Sequence, residues 1–117
     1  MKNISCNNKI KVLLLGSGLQ YPFDFYQQFY EAISLLINTY TGIDFILNPN
    51  LIGFGHSCIK AISKLSINNP DTSLTVTFLA KYDLSSTDFI ICCVTPEKYN
   101  ELIKLFAKNN ISSINII

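Results

Sequence analysis

The sequence lacks tryptophan, contains a single histidine and has a formal net charge of only +1. It contains no apolar run of the ~18 residues that a membrane-spanning helix needs, and no runs of like charge. These absences argue against a polybasic membrane patch, an acidic tail and the basic stripe typical of nucleic-acid-binding proteins. The polar, asparagine-rich N-terminus also lacks the apolar core of a signal peptide. We therefore expect a cytoplasmic protein that binds neither nucleic acid nor membrane.

The four cysteines are poorly arranged for a disulfide or a metal site. They contain no CxxC pair, and His56 is the only histidine that could complete a ligand set. Cys92 and Cys93 are adjacent in an apolar run that reads as a strand, so their side chains should point to opposite faces. We expect all four cysteines, including Cys6 and Cys58, to be thiols that bind no metal and are buried where the chain is folded.

With 49% hydrophobic and 15% charged residues, the 117-residue chain has the composition of one globular domain. We expect residues 1–9 to form a flexible N-terminus and residues 10–117 to form a single domain. Continuous apolar runs are typical of strands that are buried on both faces. The predicted strands are Ile10–Leu15, Gly42–Leu47, Leu74–Leu79, Phe89–Val94 and Ile114–Ile117.

Three segments between these strands have helical periodicity. The first runs from Pro22 to about Tyr40, a shorter one covers about Ser57 to Leu65, and the last begins at Pro96 after a capping residue, Thr95. The resulting order is β-α-β-α-β-β-α-β. Right-handed crossovers then predict an α/β, three-layer, Rossmann-like domain, with a parallel sheet of about five strands and helices on both faces.

The strongest candidate site follows the first strand, where Lys11 to Gly18 reads KVLLLGSG. Backbone N–H groups of a glycine loop and a helix N-terminus can hold a phosphate. Gly16, Ser17 and Gly18 are therefore candidate cofactor-binding residues. Tyr21 stands where a complete dinucleotide fingerprint has its third glycine. A tight turn that binds nothing explains the two glycines equally well.

Two further candidates follow other strands. Asn48 stands where dinucleotide-binding domains carry an acidic residue for the ribose hydroxyls, although an Asn-Pro turn also explains it. Thr95 and Pro96 follow the strand Phe89–Val94, at the edge where ligands of parallel sheets bind; helix capping accounts for them without a ligand. His56 lacks a carboxylate partner, and no catalytic set can be assigned.

The segment DFIICCVTPEKYNELIKLFAKNN resembles a strand and helix of the glucose-fructose oxidoreductase and inositol dehydrogenase family, and KVLLLGSG resembles that family's first strand and glycine loop. The resemblance implies NAD or NADP as cofactor. It places Gly16, Ser17 and Gly18 at the pyrophosphate, Asn48 at the ribose, and Thr95 and Pro96 at the nicotinamide. The family's catalytic lysine and substrate domain would follow Ile117. We therefore expect a module of an oxidoreductase that is not catalytically complete alone.

Two other functions fit the same sequence. One is an interaction or regulatory domain that keeps the fold without a ligand, since fold alone does not fix function. Its aromatic first helix would then offer a surface for a protein partner or a second copy of the chain, through Phe23, Phe25, Tyr26, Phe29 and Tyr30. The other, a phosphotransfer or receiver domain, is disfavoured because the first strand lacks the acidic pair that receivers use.

Overall fold

The computed structural model describes residues 9–16, 25–49 and 53–116. Within them the predicted order of strands and helices is confirmed. The five strands are β1 (Lys9–Gly16), β2 (Gly42–Leu47), β3 (Ser73–Phe78), β4 (Phe89–Cys93) and β5 (Ser112–Asn115). The three helices are α1 (Phe25–Thr39), α2 (Phe54–Asn68) and α3 (Pro96–Lys108), with a short 3-10 turn at Leu84–Ser86.

The five strands form one parallel sheet in the order β3-β2-β1-β4-β5. β1 is central: its Leu13 is opposite Ile46 of β2 on one side and Ile90 of β4 on the other. This arrangement is the Rossmann-like α/β fold expected from the alternation of strands and helices. No helix in the described ranges is long and apolar enough to cross a membrane.

The first face of the sheet carries the larger core. Side chains alternate along each strand, and on this face they pack against α1 and α2. Phe29 of α1 is fully buried, with its ring 5.5 Å from that of Phe25 and 6.1 Å from that of Phe45, measured between centroids. The aromatic residues predicted as a partner surface thus divide. Phe25 and Phe29 belong to the core, Tyr26 is partly buried against it, and Tyr30 is 38% exposed. Phe23 lies outside the described residues.

The second face is covered only in part, by α3 and by residues 79–88, which connect β3 to β4. Phe106 is the fully buried residue of α3 and packs with Leu13, Ile90 and Cys92. Leu84, in the 3-10 turn, packs partly against the same cluster. Helices therefore lie on both faces of the sheet, as predicted.

Several helices and strands begin at residues other than those predicted from the sequence. α2 begins at Phe54 rather than Ser57, and β5 begins at Ser112 rather than Ile114. The earlier start of β5 follows from how α3 ends. Asn110 adopts a left-handed conformation with φ of 55°, and the N–H of Ile111 donates to the carbonyl of Phe106 at 3.1 Å. Such a C-terminal turn reverses the chain at once, so the strand begins directly after it.

Candidate functional site at the carboxyl edge of the sheet

The carboxyl ends of β1 and β4 mark the point where the chain order of the sheet reverses. From β1 the chain proceeds outward through β2 to β3, and it then returns to the other side of β1 to form β4 and β5. The helices after β1 and β4 consequently lie on opposite faces, the arrangement that in open α/β sheets leaves a crevice between the two strand ends. Gly16 of β1 is paired with Cys93 of β4, so Gly16 and Thr95 lie at the same crevice.

Gly16 is exposed at the end of β1 and lies against the first turn of α2. A Cβ atom at this position would overlap the aromatic ring of Phe54, which is itself buried. The missing side chain therefore lets α2 approach the end of β1. Packing alone therefore accounts for this glycine.

The N-terminus of α2 is close to Gly16 through this contact. Gly53 precedes the helix with φ of 58°, and as the N-cap residue it offers no side chain to the first turn. Uncapped N–H groups and the positive end of the helix dipole favour an anion. His56 lies exposed in the same turn.

Thr95 and Pro96 begin α3 on the β4 side of the crevice. The Oγ1 of Thr95 accepts a hydrogen bond from the N–H of Lys98 at 3.3 Å, and Pro96 occupies the first helical turn. Both residues are exposed. The predicted capping role of Thr95 is confirmed, and its hydroxyl can still donate to a ligand while its oxygen accepts from Lys98.

Asn115 shapes the same edge and was missed by sequence reasoning. Its Oδ1 accepts from the N–H of Val94 at 3.0 Å, and its Nδ2 donates to the carbonyl of Val94, also at 3.0 Å. The side chain thus satisfies both backbone groups of the residue that leads from β4 into α3. The two residues are 21 positions apart, and no local pattern connects them.

Asn48 follows β2, on the same edge but one strand away from the crevice. It is exposed, and its Nδ2 donates to the carbonyl of Ala80 at 3.4 Å. This long hydrogen bond links the end of β2 to the segment after β3. The structure therefore brings Gly16, Thr95 and Pro96 to one crevice and sets Asn48 beside it. Ser17 and Gly18 lie outside the described residues.

The cysteines of the described ranges do not supply a nucleophile. Cys93 lies in the core of the first face and Cys92 in that of the second, as their adjacent positions predict. Burial raises the pKa of Cys92 to about 12 and that of Cys93 to about 11. It also raises the pKa of Cys58, with a further contribution from nearby Cys93. All three thiols are therefore protonated, and unreactive, near neutral pH.

Within the described ranges, no three histidine, cysteine, aspartate or glutamate side chains are grouped so that they could hold a metal ion. The chain matches no protein-family model, and no curated protein or solved structure is significantly similar to it. The arrangement of the strand ends, the chemistry of the residues there and the sequence resemblance described above are therefore the basis for a functional proposal.

Proposed function

We propose that the protein is a nucleotide-binding module whose ligand occupies the crevice between the ends of β1 and β4. The observation that carries the proposal is the strand order, which makes β1 and β4 the switch point of a parallel sheet. In open α/β sheets, ligands bind outside the carboxyl ends of the strands at such a point. Gly16 lies at one side of this crevice, and Thr95 and Pro96 lie at the other.

The N-terminal turn of α2 favours the phosphate part of such a ligand, through its N–H groups and the helix dipole. This turn lies against Gly16, and its N-cap residue, Gly53, has no side chain with which to cap it. Backbone N–H groups bind phosphate oxygens without needing a charged side chain. Ser17 and Gly18 continue the chain directly from Gly16, and in this proposal their backbone contributes further donors.

NAD or NADP is the ligand that we propose, because the sequence resemblance to the glucose-fructose oxidoreductase and inositol dehydrogenase family points to a dinucleotide. Asn48 would hydrogen-bond a ribose hydroxyl through its amide. This contact requires the 3.4 Å hydrogen bond to Ala80 to be exchanged or shared. An amide lacks the charge-assisted strength of the usual carboxylate, so we expect modest affinity. The described residues offer no set for hydride transfer, and the module would act within a larger oxidoreductase.

A second candidate, an interaction domain without a ligand, is favoured by the contact between Gly16 and Phe54. Because that contact explains why position 16 is a glycine, the glycine does not by itself require a phosphate. Apolar side chains are also exposed where β3 ends, at Phe78, Leu79 and Tyr82. Exposed apolar groups that are close together are typical of protein-binding surfaces.

Thermal unfolding with nucleotides separates the two candidates. A ligand that binds only the folded state stabilises it by RT ln(1 + [L]/Kd), about 2.7 kcal/mol at a hundredfold excess over Kd. We expect millimolar NAD or NADP to raise the melting temperature by several degrees, and ATP or FAD to raise it less. No shift with any of the four nucleotides would contradict nucleotide binding and favour the interaction domain.

The site is tested with Gly18→Asp, which adds a negative charge where the phosphate is proposed to bind. Gly16→Ala is unsuitable for this purpose, because its Cβ would collide with Phe54 and destabilise the fold. Ser66→Asp is the matched control, since it adds the same charge at an exposed position near the other end of α2. We expect Gly18→Asp to abolish the shift and Ser66→Asp to retain it. A shift that survives in both variants would place the ligand elsewhere.

A further inference from the structure

β3 forms one edge of the sheet, and among the described residues only β2 pairs with it. The N–H of Ser73 donates to Thr41 at 2.9 Å, and that of Leu79 donates to Leu47 at 3.0 Å. In a parallel pair, every second residue bonds the same neighbour, so the odd-numbered residues of β3 face β2. The residues that direct their N–H and C=O groups toward the open edge are Leu74, Val76 and Phe78.

The strand β3 itself carries none of the sequence features that usually prevent strand pairing. Natural edge strands are protected by charged side chains, proline, bulges or very short length. β3 reads SLTVTF, six residues without charge or proline. Its threonine, valine and phenylalanine residues also favour extended structure. The opposite edge, β5, is only four residues long.

We infer that β3 pairs antiparallel with β3 of a second copy of this chain, around a two-fold axis that passes beside Val76. In this register Val76 lies opposite Val76 of the second copy, and Leu74 lies opposite Phe78. Each of these pairs is a hydrogen-bonded pair, because all three residues direct their backbone groups outward. The two five-stranded sheets then join into one continuous sheet of ten strands.

The side chains of β3 match in the same register. On the face that packs against α2, the ring of Phe78, which is 47% exposed, would cover the partly buried Leu74 of the second copy. On the other face, Thr75 lies opposite Thr77. Cross-strand pairs of aromatic with aliphatic residues and of threonine with threonine stabilise antiparallel strands. No charged residue of β3 opposes another.

A second copy is favoured over an unrelated peptide because the register is symmetric and uses every outward backbone group of the strand. A two-fold contact also closes on itself and leaves β3 with no free edge. The interface is small, so we expect a reversible dimer. The inference does not depend on nucleotide binding, and its test is carried out without nucleotide.

The test is the mass of the protein in solution, measured by sedimentation equilibrium from roughly 10 µM to roughly 500 µM, a range suited to weak association. We expect the weight-average mass to rise from 13.2 kDa toward twice that value. Val76→Pro removes an outward N–H without removing a hydrogen bond to β2, as proline in edge strands generally does. It should keep the chain monomeric over the whole range. Val76→Thr keeps the N–H and the branched shape, and it should still dimerise.

A wild-type chain that stays monomeric up to the highest concentration would refute the inference, and so would assemblies larger than a dimer. A dimer that persists in correctly folded Val76→Pro would place the contact on another surface. Should Val76→Pro fail to fold, the exposed Phe78 decides the question. Phe78→Lys should abolish the dimer by placing a charge on Leu74, whereas Phe78→Leu should retain it; a dimer that survives in Phe78→Lys overturns the inference.

The register is tested by oxidation of single cysteine variants in a Cys6→Ser background, where the other native thiols are buried. Val76→Cys brings two thiols together at the two-fold axis and should form a covalent dimer, since paired Cα atoms about 5.5 Å apart suit a disulfide. Thr75→Cys is the control and should crosslink much less. Efficient crosslinking of Thr75→Cys in place of Val76→Cys would refute the proposed register.

Discussion

The two faces of the sheet differ in how completely helices cover them. Of the described residues, eighteen buried side chains form the cluster of the first face, beneath α1 and α2, whereas seven form that of the second. The difference follows from connectivity. Right-handed crossovers place α1 and α2 on one side and α3 on the other, while residues 79–88 join β3 to β4 with only a 3-10 turn.

The chemistry of the uncovered part of the second face follows from this difference. Over β1 to β3 the side chains become polar, and Asp44 accepts hydrogen bonds at 2.9 Å from both Thr75 and Thr77. A groove of about 410 Å³ opens here, lined in part by Lys9, Lys11 and Asp44. A parallel strand is thus apolar on both faces only where both faces are covered. We expect substitutions on the two faces to have correspondingly different effects.

The largest effect is expected where the first face is most densely packed. Phe29→Ala should lower the free energy of unfolding by about 3–5 kcal/mol, through lost burial and the cavity left behind. Phe106→Ala on the second face should cost less, because Phe29 also loses ring contacts with Phe25 and Phe45, each about 0.5–1.5 kcal/mol. Urea denaturation of both variants checks this order. Equal losses of unfolding free energy in the two variants would mean that the second face is packed as well as the first.

An intermediate effect is expected at alkaline pH, where buried thiols report whether each face excludes water. Burial raises the pKa of Cys58 on the first face, and it raises that of Cys92 on the second to about 12, from 9.0. Because the pKa of each thiol is higher in the folded chain than in the unfolded chain, its contribution to the free energy of unfolding is complete below pH 9. It is lost as the pH rises further and the unfolded chain releases protons. Between the unfolded and the folded pKa, each thiol should lower the free energy of unfolding by about 1.4 kcal/mol per pH unit.

Denaturation at pH 8 and pH 10 measures this dependence. Cys58→Ala and Cys92→Ala should each reduce the difference in unfolding free energy between the two pH values, by similar amounts. If only Cys58→Ala did so, the thiol of Cys92 would titrate like an exposed one. The second face would then admit water to β4.

The smallest effect is expected on the uncovered part of the second face. Asp44→Asn keeps an oxygen that can accept from Thr75 and Thr77, and should change the free energy of unfolding by no more than about 0.5 kcal/mol, as is usual for surface positions. Ile46→Ala, two residues along the same strand and face but buried, is the control and should cost about 2–5 kcal/mol. A large loss in Asp44→Asn would show that this region is covered in solution.

The sequence predicts those parts of the fold that depend on local patterns. The apolar run at Phe89–Val94 indicates a strand buried on both faces, observed at Phe89–Cys93. Thr95-Pro96 likewise indicates the start of α3, because strand burial and helix capping are encoded by neighbouring residues. Strand alternation likewise predicts the opposite faces of Cys92 and Cys93. These features need no knowledge of what packs against them.

Features that depend on distant residues could not be predicted in this way. Helical periodicity assigns Ile103 to the buried face of α3, together with Tyr99, Leu102 and Phe106, but Ile103 is 42% exposed whereas Phe106 is fully buried. At the candidate site, the residue type of Gly16 is explained by Phe54 and the geometry at Val94 by Asn115. Each partner lies more than twenty positions away, so only the folded structure brings them together.

The central position of β1 has a consequence for how the protein is made. β1 is the first of the five strands to be synthesised, and the side that will pair with β4 stays open until Cys93 has been added. At about 5–20 residues per second, the interval between Gly16 and Cys93 is about 4–15 s. During this time the nascent chain exposes an apolar strand with unpaired backbone groups. Ribosome-associated chaperones would therefore encounter β1, the central strand, before its partner β4 has been synthesised.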